Sequence, residues 1–249
     1  MATVLVDHSH GVARVTLNQP PLNVIDIPMM DELNAALTTL KGDRATKVIV
    51  LAAQGKAFSA GVDIKDHTPD RVEMMLTKFH AIFHTLWSLE PPVVAAVQGS
   101  ALGGGCELAL ACDFIVASER AKFGQPEIKV GVFAPIATWL LPRLIARKQA
   151  YELLLTGDAI DARAAERIGL VNQVAAPEAF DAAVDAFVAR LTALSGVVLR
   201  HAKRAIALGL AQGLAEIEKY YFQDLMSSED ALEGLNAFME KRTPVWKEK

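Results

Sequence analysis

The sequence predicts an α/β fold in which strands and helices alternate along the chain. Residues 48–52 and 93–97 are continuous apolar runs, typical of strands that are covered on both faces. Between and after these runs, apolar residues recur with helical periodicity. Of the 249 residues, 52% are hydrophobic and 22% are charged, which is typical of a globular chain and excludes a disordered one.

The first half of the chain predicts these elements in order. Residues 3–6 and 12–17 alternate in strand fashion around His10-Gly11 and predict a hairpin. A helix is then predicted over residues 28–40. Further strands are predicted at 48–52, 93–97 and 113–117, with helices at 70–89 and from the glycines at 103–105 to about 111.

After about residue 136 the sequence predicts mostly helix. The expected division is an α/β core over residues 1–190 and a helical C-terminal part over residues 191–249. Helices are predicted at 139–145, 148–155, 162–168, 178–194, 197–208 and within 214–240, with one short strand at 171–174.

Charge and composition exclude several classes of partner. The net charge of −4 provides no basic surface for nucleic acid or an anionic membrane. Residues 1–11 do not resemble a signal peptide, and no run of 18 apolar residues occurs. The two cysteines, Cys106 and Cys112, are not expected to form a disulfide, because they are six residues apart on one predicted helix. We therefore expect a soluble cytoplasmic protein with no nucleic-acid or membrane partner.

Two glycine-containing stretches have the composition of a ligand site. Residues 55–64 follow a buried strand and are mostly small, so that backbone N–H groups can approach a ligand; a plain tight turn is the alternative. Residues 98–107 lead through three consecutive glycines into a helix, whose N-terminus carries unpaired N–H groups and roughly +0.5 charge. The order of the glycines matches neither a P-loop nor a dinucleotide-binding motif.

Glu107 and Glu127 are the candidate acid–base residues. Glu107 falls in the first turn of the predicted helix, either beside an oxyanion site or simply as a helix-start charge. Glu127 follows Pro126 in an extended or turn segment among apolar residues. Partial desolvation would raise the pKa of Glu127 and suit it to proton transfer near neutral pH. The alternative is an exposed loop carboxylate.

Other reactive side chains fit packing better than catalysis. The chain has no Gly-x-Ser-x-Gly motif, so Ser59 and Ser100 are weak candidates for a nucleophile. His80 and His84 are four residues apart but have no third ligand at a recognisable spacing, so no metal site is expected. Cys106 has no histidine nearby in sequence, which favours simple packing of a small residue.

Three motifs together carry a family resemblance: Ala57-Phe58-Ser59-Ala60-Gly61-Val62-Asp63, Gly99-Ser100-Ala101-Leu102-Gly103-Gly104-Gly105-Cys106-Glu107 and Phe123-Gly124-Gln125-Pro126-Glu127. They resemble those of the crotonase, or enoyl-CoA hydratase/isomerase, superfamily, and the resemblance covers nearly the whole chain. It implies a spiral of ββα units with a helical C-terminal part used in trimer formation, and a homotrimer or homohexamer. It also implies an acyl-CoA thioester substrate and no cofactor, since coenzyme A is part of the substrate. The apolar face expected between subunits comprises Ile217, Tyr220, Tyr221 and Leu225.

The resemblance also implies a role for individual residues. The backbone N–H groups of Val62 and Gly104 would form an oxyanion hole. Glu107 would mainly activate water, and Glu127 would mainly protonate carbon, with the roles open to sharing through one water. The residues expected to bind CoA or the acyl group are Lys56, Ala57, Ala60, Val62, Asp63, Ile64, Lys65, Gly103, Gly104, Phe133, Trp139, Phe238 and Lys241, the contacts of Phe238 and Lys241 coming from a neighbouring subunit.

One stretch departs from the commonest pattern of this family. Typical hydratases follow the second glutamate with a Pro-Gly-x-Gly-Gly-like stretch, whereas this chain has Gly-Val-Phe-Ala-Pro at 131–135, similar to cyclohexa-1,5-diene-1-carbonyl-CoA hydratases. Phe133 and Trp139 would then line a pocket for a flat ring, or else they belong to the core. The sequence thus predicts a hydratase acting on an enoyl- or cyclic dienoyl-CoA. The alternatives are a double-bond isomerase, which needs no bound water, and a non-catalytic CoA-thioester-binding protein.

Overall fold

The strands form two sheets of different size. The computed structural model describes residues 2–67, 70–212, 223–224 and 227–249. The larger sheet has the order β1-β2-β3-β4-β6-β9, in which β1 and β2 are antiparallel and all other neighbours are parallel. The smaller sheet has the order β5-β7-β8. The bounds are β1 Val4–Ser9, β2 Val12–Leu17, β3 Val48–Ala53, β4 Val93–Val97, β5 Ala101–Leu102, β6 Phe114–Ser118, β7 Lys122–Gly124, β8 Ile160–Asp161 and β9 Gln173–Ala175.

Helices connect and cover the strands. Two of them begin at an aspartate that caps the first turn: Asp26 accepts a hydrogen bond from Met29 N at 2.9 Å, and Asp161 accepts one from Ala164 N at 2.7 Å. The helices are α1 Ile27–Thr39, α2 Val72–Ser88, α3 Gly104–Leu110, α4 Pro135–Leu144, α5 Arg147–Thr156, α6 Ala162–Arg167, α7 Phe180–Thr192, α8 Gly196–Gln212 and α9 Glu229–Glu240.

The central strands β3 and β4 of the large sheet are buried on both faces, as the uninterrupted apolar runs predicted. Alternate residues of a strand point to opposite faces, so each central strand contributes to two clusters. Ile49 and Leu51 of β3 belong to the main core, which also contains the buried faces of α1 and α2. Val48 and Val50 face the other way and pack in a second cluster with residues of α7.

The small sheet connects the two glutamate-bearing segments. β5 pairs with β7 in parallel, and β7 pairs with β8 in antiparallel orientation. Immediately after β5, Gly103 N donates a hydrogen bond to the carbonyl of Gly124 at the end of β7, at 2.9 Å. The start of α3 and the segment after β7 are therefore fixed side by side.

The structure confirms most predicted elements and corrects three details. The hairpin, the buried strands and the helix that follows the glycines are present at the predicted places. β5, β7 and β8, which have only two or three residues each, were not predicted. The predicted start of α4, near residue 139, is wrong: the helix begins at Pro135, whose fixed φ suits the first helical position. The short strand predicted at 171–174 lies at Gln173–Ala175.

Two further findings bear on the general character of the chain. Cys106 and Cys112 are both free thiols.

Within the described ranges, no helix on its own has the length and apolar content needed to cross a bilayer. Only the segments Pro177–Thr192 and Gly196–Leu208, bent at 94° to each other, meet that criterion when they are taken together.

Candidate active site

In the first glycine-containing loop, residues 55–64, the backbone N–H of Val62 points away from the segment that pairs with it. Ile25 forms an isolated parallel bridge with Val62. Ile25 N donates to the carbonyl of Gly61 at 2.9 Å, and Asp63 N donates to the carbonyl of Ile25 at 3.1 Å. Because the peptide bond is planar and trans, the N–H of Val62 points opposite to the carbonyl of Gly61 and thus away from Ile25.

The start of α3 presents a second N–H group. Gly103 precedes the helix with φ 53° and ψ −129°, a conformation that favours glycine. The carbonyl of Gly103 accepts a hydrogen bond from Glu107 N at 2.9 Å, so it points along the helix. By the same peptide geometry, the N–H of Gly104 points out of the helix N-terminus.

These two segments lie against each other. A Cβ atom placed on Gly61 would be 3.4 Å from Gly104 N, and one placed on Gly104 would be 2.7 Å from Cγ2 of Val62. The contact is held by backbone pairing between the first loop and β5, since Leu102 N donates to the carbonyl of Ser59 at 3.0 Å. The absence of side chains at 61 and 104 thus allows the two N–H-bearing segments to approach closely.

Glu107 is almost completely buried and caps a second helix. Its side chain is 3% exposed, and Oε1 accepts a hydrogen bond from Ala137 N, in the first turn of α4, at 2.8 Å. Burial raises the pKa of Glu107 to about 7; the backbone donors of Ala137 and Ile136 act against this shift, while the charge of Glu127 adds to it. A carboxylate with this pKa exchanges protons readily at neutral pH.

Glu127 lies in a 3-10 turn, Pro126–Val130, directly after β7. A Cβ atom placed on Gly103 would collide with Oε1 of Glu127 and lie 3.2 Å from its Cδ. The carboxylate of Glu127 therefore occupies the space left free by Gly103, at the start of α3. The turn ends at Gly131, which has φ 85°.

The partial burial predicted for Glu127 is confirmed, but the reason expected for it is wrong. We expected its apolar neighbours in sequence to desolvate it, but those side chains point outward: Val130 is 64% exposed and Phe133 is 66% exposed. Glu127 itself is half-buried. The strongly buried carboxylate of the pair is Glu107, because α3 lies in the core whereas the turn lies near the surface.

A cavity of about 500 Å³ opens beside Glu127. Most of its lining is apolar and comes from the turn after β7 and from α4 and α5. Of the two glutamates, Glu127 lines the cavity, whereas the carboxylate of Glu107 contacts the first turn of α4. The lining residues are Gln125, Glu127, Ile128, Phe133, Ala134, Thr138, Pro142, Tyr151, Leu154 and Leu155.

The two aromatic residues proposed for the pocket lie in different surroundings. Phe133 lines the cavity. Trp139 is 48% exposed and packs against Trp87, with ring centroids 5.3 Å apart, while the guanidinium of Arg143 lies 4.6 Å from the Trp139 ring centroid. Trp139 is thus outside the cavity lining among the described residues, and its contact with a substrate stays a prediction.

The other predicted binding residues lie mainly on the surface of the first loop. Lys56, Ala60, Ile64 and Lys65 are exposed, and Asp63 accepts a hydrogen bond from Lys65 N at 3.0 Å. Ala57 is buried. Lys241 is exposed at the end of α9, with φ 54°. Five further predictions concern residues or side chains that lie outside the described part of the chain: Phe238, Ile217, Tyr220, Tyr221 and Leu225.

Several cavity residues were missed by the sequence analysis. Tyr151, Leu154 and Leu155 share one face of α5, and their i, i+3, i+4 spacing was a usable signal for a common surface. Gln125 belongs to the third family motif, at 123–127, but no local feature of the sequence indicates that it is buried. The contact between Glu107 and α4 joins residues 30 positions apart and has no local signal.

The described residues include no group of three or more His, Cys, Asp or Glu side chains that could hold a metal ion. Cys106 lies beside Glu107 in α3, where burial raises the pKa of its thiol to about 12. A thiol with this pKa stays protonated at neutral pH, so packing describes Cys106 better than nucleophilic chemistry.

Comparisons with known proteins agree with this architecture. The family model described as enoyl-CoA hydratase/isomerase matches residues 7–249. The chain is 43% identical over 254 residues to a probable enoyl-CoA hydratase from Rhizobium meliloti, with 98% of each chain covered. It is 37% identical over 248 residues to the cyclohexa-1,5-dienecarbonyl-CoA hydratase of Thauera aromatica, covering 98% of this chain and 95% of that one.

A solved structure is similar over the whole fold. The crystal structure of an enoyl-CoA hydratase from Mycobacterium smegmatis superposes with a TM-score of 0.93 at 33% identity, covering 99% of both chains. This chain therefore has the same fold as that protein. The chain belongs to the enoyl-CoA hydratase/isomerase family of the crotonase superfamily.

Proposed function

We propose that this chain is an enoyl-CoA hydratase that adds water across the double bond of an acyl-CoA thioester. The observation that carries the proposal is the pair Glu107 and Glu127. The two carboxylates are coupled by charge and lie at the start of α3, where the N–H of Gly104 points outward. A hydratase needs one group to take a proton from water and another to deliver a proton to carbon. An isomerase needs no water, and a binding protein needs neither carboxylate.

The N–H groups of Val62 and Gly104 are proposed to hold the thioester oxygen. When the oxygen of water bonds to the β-carbon, the electron pair of the double bond moves toward the thioester, and negative charge develops on its oxygen. Two fixed donors stabilise that charge, and removal of one such donor typically costs roughly 2.7–4 kcal/mol. The close approach of the segments that contain Gly61 and Gly104 supports this assignment.

The two glutamates are proposed to move the two protons. Glu107 accepts a proton from water as the carbon–oxygen bond forms, and Glu127 donates a proton to the α-carbon, which neutralises the enolate. The pKa of about 7 makes Glu107 a stronger base than an ordinary carboxylate, while a large fraction remains ionised at neutral pH. The half-buried Glu127 lines the cavity, where it can reach a carbon atom of a bound acyl group.

The acyl group is proposed to occupy the cavity beside Glu127. Its predominantly apolar lining suits a hydrocarbon chain or ring. A cyclic dienoyl thioester is the second candidate substrate, favoured by the aromatic ring of Phe133 in the lining and by the similarity to the Thauera aromatica hydratase. Lys56 and Lys65, exposed on the first loop, are proposed to face the phosphates of CoA.

A panel of thioesters tests the proposal. The protein is incubated with crotonyl-CoA and, separately, with a cyclic dienoyl-CoA, and the products are analysed by mass spectrometry. Gain of one water supports hydration, and the faster of the two substrates identifies the acyl class. An unchanged mass with a displaced double bond would indicate an isomerase. Binding of both thioesters without conversion would indicate the non-catalytic alternative.

A further inference from the structure

The cavity beside Glu127 has a polar group at its outer end. Gln125 and Ala134, which line its inner part, are buried, whereas Tyr151 of α5 is 47% exposed. The hydroxyl of Tyr151 accepts a hydrogen bond from Nη2 of Arg147 at 3.3 Å and donates none to the described residues. The proton of this hydroxyl is therefore available to a ligand that fills the cavity.

A guanidinium group without a carboxylate partner lies beside this hydroxyl. Cζ of Arg147 is 5.1 Å from the centroid of the Tyr151 ring, and Arg147 forms no ion pair with any residue that the structure describes. Arg147 and Lys148 belong to the first turn of α5, which contains no acidic residue. The helix dipole disfavours cations at this end of a helix, so the stability of α5 does not account for their charge.

The rest of the cavity offers few hydrogen bonds to an acyl group. Its wall consists largely of apolar side chains, among them Ile128 and Leu154. The hydroxyl of Thr138 is already used, since it donates to the carbonyl of Ala134 at 2.7 Å. An acyl group whose α-carbon lies at Glu127 therefore meets apolar side chains first and the hydroxyl of Tyr151 at its distal end.

The chemistry of Arg147 and Tyr151 identifies the group that would fit there. A guanidinium and a phenolic O–H both donate hydrogen bonds, so together they suit an anionic group with two acceptor oxygens. A carboxylate is such a group, and an acyl chain can carry one at its far end. Both side chains are exposed, so the carboxylate keeps part of its hydration and avoids the cost of a buried charge.

We infer that Arg147 and Tyr151 bind a carboxylate at the distal end of the acyl group. This inference rests on the proposed hydratase function and on the placement of the acyl group in the cavity. It names the enoyl thioesters of dicarboxylic acids as the preferred substrate class.

Two thioesters that differ only at the distal end test the inference: trans-2-hexenoyl-CoA, which ends in a methyl group, and trans-2-hexenedioyl-CoA, which ends in a carboxylate. The kcat/KM of hydration is measured for both at low ionic strength. The unaltered protein should favour the dicarboxylic thioester by about tenfold. Tyr151→Phe keeps the ring, and Arg147→Met keeps most of the side-chain length. Each should lower kcat/KM for the dicarboxylic thioester by about fivefold to tenfold and leave hexenoyl-CoA within about twofold.

Arg143→Met is the matched control for charge. The guanidinium of Arg143 lies 4.6 Å from the ring centroid of Trp139, and neither residue lines the cavity. This variant loses one positive charge on the same side of the protein, so it separates direct contact from attraction at a distance. It should leave the preference for the dicarboxylic thioester within about twofold of normal.

Three results would overturn the inference. They are faster hydration of hexenoyl-CoA by the unaltered protein, an equal loss for both thioesters in Tyr151→Phe, and a loss of preference in Arg143→Met as large as in Arg147→Met. The proposed function fails separately, if the unaltered protein hydrates neither these thioesters nor crotonyl-CoA nor a cyclic dienoyl-CoA.

Discussion

The buried carboxylate of Glu107 should make the protein less stable as the pH rises. Burial raises the pKa of Glu107 from its ordinary value of 4.5 to about 7. Below the lower value the side chain is protonated in both the folded and the unfolded state. Above the higher value it is ionised in both states, and the folded state bears the full cost of the buried charge. At about 1.4 kcal/mol per pH unit between these values, the free energy of unfolding falls by about 3 kcal/mol.

Glu107→Gln removes this titration while keeping the shape of the side chain. Relative to the unaltered protein, the variant should gain about 3 kcal/mol of unfolding free energy between about pH 4 and about pH 8, although its hydration activity falls. Urea denaturation at a series of pH values measures the difference. Glu152→Gln, at an exposed position of α5, is the matched control and should show no such gain. A difference between Glu107→Gln and the unaltered protein that is constant across this pH range would refute the reasoning.

Three further predictions follow from the same contacts. Gly103→Ala should displace the carboxylate of Glu127 and lower hydration by about 10²-fold, whereas Gly42→Ala, where a Cβ meets nothing within 4 Å, should leave activity near normal; equal rates in the two variants would contradict this. Hydration should fall as the pH drops through about 7, because Glu107 takes up a proton, and a flat pH–rate profile would argue against its role as base. Asp230 is fully buried and accepts hydrogen bonds from three groups, so Asp230→Ala should lower the free energy of unfolding by about 3 kcal/mol, and an unchanged thermal midpoint would disprove this.

The parts of the fold that follow from local sequence were predictable. The strands at 48–53 and 93–97 are continuous apolar runs because both of their faces are covered, by α1 and α2 on one side and by α7 on the other. The start of α3 follows from the glycines at 103–105. These signals depend on a few adjacent residues, so no knowledge of tertiary contacts was needed.

The parts that depend on distant contacts were not predictable in this way. β5, β7 and β8 are too short to show a period-two pattern, yet they fix Glu127 beside the start of α3. Glu107 is buried because α3 lies in the core, and its hydrogen-bond partner, Ala137, belongs to a helix that comes later in the chain. Glu127 is half-buried, as its predicted partial desolvation requires, but its apolar sequence neighbours do not cause this, because the 3-10 turn directs their side chains toward the surface.

A double-mutant cycle on the two glutamates tests most directly whether they act on one water. Glu107→Gln, Glu127→Gln and the double variant are compared in the hydration of the enoyl-CoA that the unaltered protein converts fastest. Each single replacement should lower the rate by about 10²–10⁴-fold, since each removes a positioned acid or base. The double variant should lose much less than the product of the two single effects, because both groups serve one concerted step. Near-normal turnover in either single variant, or effects that multiply in full, would contradict the account.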